Sequence, residues 1–136
     1  MQDDVVINKT QSIIKCLQRV RDIYANSPEA FLKNIMLQDA AVLNLQRAAQ
    51  TAIDLAAHIV RVKGLSAPKE TKELFVSLCE DKIISEEIKD KMINMVGFRN
   101  IAVHEYKKLD IKVVVSIIEK HLTDFENFMQ EILNAN

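Results

Sequence analysis

Apolar residues recur at helical spacing along most of this chain. In its first part they follow one another at steps of four and three, at Ile13, Leu17, Val20 and Tyr24. This spacing places them on one face of an amphipathic helix. The pattern predicts a first helix from about residue 6 to about residue 25.

A capping signal opens the second predicted helix. Ser27 suits the N-cap, Pro28 the first helical position, and Glu29 the first turn, where the helix dipole favours an acid. No proline or glycine follows until Gly64, so we expect one long helix over residues 28 to about 63. Its small residues would let another helix approach closely, which predicts a central packing spine. They are Ala40, Ala41, Ala48, Ala49, Ala52, Ala56 and Ala57.

Three further helices are predicted after a short linker at residues 64–68. The third would bury Leu74, Phe75 and Leu78. Ser85 is placed to cap the fourth, whose apolar residues are Ile88, Met92, Met95 and Val96. Asp110 would cap a fifth helix over residues 111 to about 133. The first half of this helix is apolar around most of its circumference, which predicts either central burial or contact with a second subunit.

The composition agrees with a single all-α domain. The 136 residues include two glycines and two prolines, and 49% of them are hydrophobic. So few turn-forming residues argue against a β protein rich in tight turns. We therefore expect one domain over residues 1–136, folded as an up-and-down bundle of about five helices.

Charge and hydropathy narrow the classes of function. A net charge of −1 gives no general attraction for nucleic acid, so any RNA contact must come from a local patch. No apolar run approaches the roughly 20 residues of a membrane span, and the amino terminus lacks the basic start of a signal peptide. We expect a cytoplasmic protein that does not bind membranes.

The cysteines and two of the three histidines show no metal-ligand spacing. Cys16 and Cys79 lie far apart without any paired cysteine or histidine, so reduced packing thiols are expected. His58 lies close along its helix to Asp54 and Arg61, which allows a side-chain network but is typical of a structural histidine. His121 is expected at the surface or an interface. The sequence predicts no metal site and no cofactor.

One eight-residue string, Arg99-Asn100-Ile101-Ala102-Val103-His104-Glu105-Tyr106, holds most of the candidate chemistry. Arginine can clamp a phosphate with two hydrogen bonds, and histidine can move a proton near neutral pH. Metal-free RNA cleavage needs a base for the ribose 2′-hydroxyl, an acid for the leaving oxygen and a cation for the phosphate. Arg99 and His104 suit these roles, and two copies in a dimer would supply both acid and base.

Helical geometry sets a condition on this site. On a regular helix Arg99 and His104 are rotated by about 140° from each other, whereas Tyr106 returns to within about 20° of Arg99. Asn100 and His104 are four apart and therefore adjacent. A shared cleft requires that the helix frays near Val103 or that a symmetric partner brings a second copy alongside. Gly97, just before the string, predicts close packing or a site at that point.

The pattern Arg99-x4-His104-x-Tyr106, with Asn100 directly after the arginine, resembles the Rx4HxY motif of HEPN-domain ribonucleases. More narrowly, the chain resembles the HepT toxins, which are paired with MntA-type minimal nucleotidyltransferase antitoxins. Helix order, the long second helix and the motif before the last helix agree, so the resemblance covers most of the chain.

The resemblance implies a homodimeric HEPN fold whose two motifs face a shared cleft. It implies that Arg99 and His104 are the catalytic pair, that Asn100 assists or orients them, and that Tyr106 accepts AMP from the antitoxin. The expected activity is that of a metal-independent endoribonuclease toxin, leaving a 2′,3′-cyclic phosphate and neutralised by this AMP transfer.

Two other interpretations stay open. The chain could be a non-catalytic HEPN module that binds a nucleotidyltransferase or presents its substrate, or a plain helical dimerisation protein. Only the toxin hypothesis predicts growth arrest when the chain is expressed alone. The RNA target is not predicted, because the sequence shows no aromatic stacking platform that would read bases.

Overall fold

The computed structural model describes residues 3–25, 27–66 and 68–135, and these form helices, turns and no strand. The α-helices are α1 (Asp4–Ala25), α2 (Pro28–Lys33), α3 (Ile35–Val62), α4 (Thr71–Glu80), α5 (Glu86–His104), α6 (Ile111–Ser116) and α7 (Leu122–Asn134). A 3₁₀ turn, Tyr106–Lys108, joins α5 to α6, and a π-helical turn, Ile117–His121, joins α6 to α7. The all-α class is confirmed.

The prediction of one unbroken second helix is wrong, because Asn34 divides it into α2 and α3. Asn34 has extended backbone angles, φ −123° and ψ 105°. Its side-chain oxygen accepts a hydrogen bond from the Leu37 N–H at 3.2 Å, while its own N–H donates to the Phe31 carbonyl at 3.4 Å. Asparagine is a favoured N-cap, so one residue ends α2 and starts α3 without proline or glycine. Phe31 is fully buried and anchors α2 edge-on against Tyr24.

Helix α3 is the central spine, as predicted. It packs along α1 and also contacts α2, α4 and α5. Five of the seven predicted alanines are buried on it, namely Ala41, Ala48, Ala49, Ala52 and Ala56. Their short side chains let the neighbouring backbones approach closely and leave room for the larger residues of α1. Those residues are Ile13, Leu17 and Val20.

Three other predicted helix boundaries, at Gly64, Ser85 and Asp110, are confirmed by a backbone angle or a capping hydrogen bond. Gly64, at φ +66°, follows the end of α3 in a left-handed conformation that suits glycine. The Ser85 hydroxyl accepts from the Ile88 N–H at 3.2 Å and caps α5. The Asp110 carboxylate accepts from the Lys112 N–H at 2.9 Å and caps α6. The predicted core residues of α4 and α5 are buried; they are Leu74, Phe75, Leu78, Ile88, Met92, Met95 and Val96.

The last predicted helix is interrupted by the π-helical turn between α6 and α7. A π turn holds more residues than an α turn, so it shifts which side chains face the core. Ile117 and Ile118 are both buried, whereas Val113 in α6 remains half exposed. Apolar surface of α6 is therefore left uncovered in the single chain. None of the helices described is long and apolar enough to cross a membrane.

Candidate active site

The polar string lies at the carboxyl end of α5. The helix does not fray at Val103, because the Glu105 N–H still donates to the Ile101 carbonyl at 2.8 Å. His104 is the last helical residue. Arg99 and His104 therefore keep the rotation of about 140° that a regular helix imposes. One chain by itself presents the two side chains on different sides of α5.

Arg99 is half-buried and carries a charge that the described part of the chain leaves unpaired. Its Nη1 donates to Asn100 Oδ1 at 2.8 Å, and no described carboxylate lies within 4.0 Å of the guanidinium. Its Nε is buried and has no hydrogen-bond partner among the residues described. Asn100 thus orients Arg99 rather than His104, and the guanidinium retains donors for an anion.

His104 is exposed at the end of α5, as are Ile101 and Val103, whereas Ala102 between them is buried. The imidazole makes no ion pair with a carboxylate in residues 3–25, 27–66 or 68–135. Ile101 and Val103 are exposed apolar residues of the same helix end. The histidine is thus open to solvent beside an apolar surface.

Tyr106 lies beyond the helix, in the 3₁₀ turn, so the helical register that would place it above Arg99 does not reach it. Its hydroxyl donates instead to Asp39 Oδ1 on α3. This hydrogen bond, together with partial burial and the negative charge of Asp39, raises the pKa of Tyr106 to about 12. The side chain remains 46% exposed.

Sequence reasoning missed Asp39 as a residue of this site. The two partners are 67 positions apart, and local spacing carries no signal of such a contact. An acid on a helix surface is ordinarily solvated, and only the packing of the 3₁₀ turn against α3 brings it to the phenol.

A groove of about 340 Å³ opens beside Tyr106, between α3 and the start of α6. Its walls are largely apolar, and its charged groups are Asp39 and Lys107. The apolar residues are Ile35, Val42, Leu109, Ile111 and Val114. The space is within the range of small-molecule sites.

A second groove, of about 490 Å³, runs between α5 and the α6–π segment. Gly97 lies in its lining, and no atom outside its own helix stands within 4 Å of the position of an added Cβ. The close packing predicted for Gly97 is therefore absent within the described chain. At one end the almost fully buried Asp124 lies 2.9 Å from His121 Nδ1 and 3.5 Å from Lys91 Nζ. His121 is partly exposed, as expected for a surface histidine.

The other singled-out residues have structural contacts. His58 Nε2 lies 2.5 Å from Asp3 Oδ2, whereas Asp54 accepts from Gln50 at 2.9 Å, so the predicted spacing with Asp54 forms no network. Both cysteines are free thiols. In the part of the chain described, no three of the His, Cys, Asp or Glu side chains are grouped as metal ligands.

Comparisons with known proteins agree on one family. The family described as ribonuclease HepT-like matches residues 13–132. The mRNA nuclease HepT of Shewanella oneidensis is 38% identical over 130 residues, covering 96% of this chain and 97% of the relative.

Solved structures give the same result. The tri-AMPylated HEPN toxin of Shewanella oneidensis, in complex with MNT antitoxin, superposes with a TM-score of 0.93 at 37% identity, over 98% of this chain and 99% of that one. The Bacillus subtilis cytosolic protein YutE, at 16% identity and a TM-score of 0.71 over 91% and 87% of the two chains, shares the fold alone. The chain therefore belongs to the HepT-like ribonuclease family.

Proposed function

We propose that this protein is an endoribonuclease toxin that cleaves RNA without a metal ion, in the cytoplasm, with Arg99 and His104 as its catalytic residues. The observation that supports this best is that Arg99, oriented by Asn100, keeps unused donors and has no ion-pair partner among the described residues, on the same helix as the exposed His104. A guanidinium of this kind suits the crowded phosphate of a cleavage transition state. The mRNA nuclease activity named for the Shewanella relative supports the substrate class.

The site requires a homodimer. Because Arg99 and His104 diverge on one helix, a second copy is needed to bring an arginine and two histidines to one phosphate. One His104 would take the proton of the ribose 2′-hydroxyl, and the partner's His104 would protonate the leaving 5′-oxygen. The product is then a 2′,3′-cyclic phosphate. The exposed apolar residues around the motif, Ile101, Val103 and Val113, support such a contact.

Control is proposed to come from an MntA-type minimal nucleotidyltransferase antitoxin that transfers AMP to Tyr106. The tri-AMPylated toxin bound to its antitoxin in the related complex supports this partner. Tyr106 is exposed and follows His104 by two residues. An added nucleotide would therefore put negative charge and bulk where RNA must approach.

The test is a cleavage assay with structured RNA in the presence of EDTA. Intact-mass measurement first confirms that the protein carries no AMP. We expect the wild type to cut and His104→Ala to lose activity, while His121→Ala serves as the matched histidine control and keeps it. Resistance of the new 3′ ends to phosphatase before acid treatment would identify the cyclic phosphate. Activity that is lost on chelation and restored by a divalent metal would overturn the mechanism. A wild type that cuts no RNA would favour the non-catalytic binding module.

A further inference from the structure

Among the described residues, Asp39 makes one side-chain hydrogen bond, to Tyr106. Its carboxylate accepts the hydrogen bond of the Tyr106 hydroxyl, and no Lys, Arg or His nitrogen described here lies within 4.0 Å of it. The titratable groups that line this groove are Asp39, Tyr106 and Lys107. An unpaired carboxylate thus faces the one hydroxyl that the proposed control step modifies.

This contact decides how the hydroxyl can react. With its pKa raised to about 12, the Tyr106 phenol is ionised in only about one molecule in 10⁵ at pH 7. A preformed phenolate is therefore too rare to be the main nucleophile. The proton must therefore pass to a base as the new bond forms, and Asp39 is the base that the described chain holds in contact with the hydroxyl.

We propose that Asp39 is the general base for AMP transfer to Tyr106, an inference that rests on the proposed function. The Tyr106 oxygen attacks the α-phosphorus of ATP as its O–H bond breaks and the proton passes to Asp39 Oδ1. The bond between the α-phosphorus and the bridging oxygen breaks, and pyrophosphate leaves. Asp39 then releases the proton to solvent.

The groove around Tyr106 has room for both the base and the incoming nucleotide. Asp39 approaches the hydroxyl from the α3 side, and Tyr106, which is 46% exposed, stays open to a nucleotide held by the transferase. The groove of about 340 Å³ offers apolar walls for a nucleoside, with Ile35 at its rim 70% exposed. Lys107 lines the same groove and supplies a positive charge for phosphate.

The experiment is the initial rate of AMP addition by the cognate nucleotidyltransferase with ATP, followed by intact mass from pH 6 to 9. Asp39→Asn retains an oxygen that can accept the hydrogen bond but cannot take the proton. We expect its rate at pH 7 to fall by about 10²–10³-fold, within the range of general-base losses, through kcat rather than KM. Its rate should rise with pH as the phenol ionises, while Asp39→Glu recovers part of the wild-type rate.

Asp54→Asn, on the same helix but outside the groove, is the matched control and should be modified at the wild-type rate. Thermal unfolding confirms that each variant is folded. If Asp39→Asn is modified at Tyr106 as fast as wild type or faster, or only its KM changes, Asp39 merely anchors the 3₁₀ turn and the inference fails alone. If wild type takes no AMP at Tyr106, the proposed acceptor fails and the inference with it.

Discussion

Replacing Arg99 by methionine should separate activity from stability. Methionine keeps the apolar stem and a high helix propensity but removes the guanidinium. If Arg99 serves a phosphate rather than the fold, RNA cleavage should collapse while the free energy of unfolding hardly changes. If Arg99 served only the fold, its loss would lower the free energy of unfolding and leave RNA cleavage by the folded protein largely intact.

The expected change in the free energy of unfolding is the sum of two opposing effects. The variant loses the hydrogen bond from Nη1 to Asn100, worth about 1.5–3 kcal/mol for a charged donor and less at a half-buried site. It also removes the buried Nε that lacks a partner, which relieves about 1–3 kcal/mol. The two terms offset to within about 1 kcal/mol, or a change in Tm of about 4 °C for a domain of this size. Loss of one transition-state donor costs about 10²–10³-fold in rate.

The assay pairs thermal unfolding with single-turnover cleavage of RNA by unmodified protein. Arg61→Met, at an exposed arginine of α3, is the matched control and should change neither quantity. A drop in Tm of more than about 10 °C for Arg99→Met would show that the guanidinium holds the fold together. Full cleavage by this variant would remove Arg99 from the proposed catalytic residues.

Three further predictions follow from individual contacts. Asn34→Ala removes the cap between α2 and α3 and should cost about 1 kcal/mol in urea unfolding; an unchanged midpoint would mean that the cap contributes nothing. Phe75→Ala empties a fully buried site and should cost about 3–5 kcal/mol, whereas a loss below 1 kcal/mol would contradict its burial. In a Tyr24→Phe background, the phenolate absorbance of Tyr106 should titrate near pH 12, and Asp39→Asn should shift it towards 10. Because folding raises the pKa of Tyr106, its hydrogen bond to Asp39 contributes fully to the free energy of unfolding below pH 10. This contribution should be lost as the pH rises from 10 to 12, which urea unfolding would measure.

The sequence predicted the features that depend on local chemistry. Helix stripes, the caps at Ser85 and Asp110, and the turn at Gly64 each rest on residues within one or two helical turns. The break at Asn34 was missed although it is local, because asparagine reads equally well as a solvated helix residue. The π turn was missed because an extra residue in a turn leaves no mark in an apolar run.

The candidate site likewise has features that the sequence predicted and features that it did not. Arg99, Asn100, His104 and Tyr106 stand together in the sequence, so their proximity along the chain was predictable. The divergence of Arg99 and His104 was also predictable from the rotation of a regular helix. The direction of Tyr106 was not, since it depends on where α5 ends and on the packing of the next turn against α3. The Tyr106–Asp39 contact belongs wholly to tertiary structure. The spacing of the string therefore indicates the chemistry, and the end of α5 decides which groups one chain can bring together.

The proposed AMP transfer to Tyr106 would have a physical route to inactivation. In the unmodified chain the hydrogen bond to Asp39 ties Tyr106 to α3 and leaves His104 open. Once the Tyr106 oxygen carries AMP it has no proton to donate, and its phosphate faces the carboxylate of Asp39. The negative charges of the AMP phosphate and of the Asp39 carboxylate would repel each other, so the modified side chain would move away from α3. On the proposed mechanism, the carboxylate that accepts the Tyr106 proton would then turn the attached AMP towards the exposed His104, where it would exclude RNA.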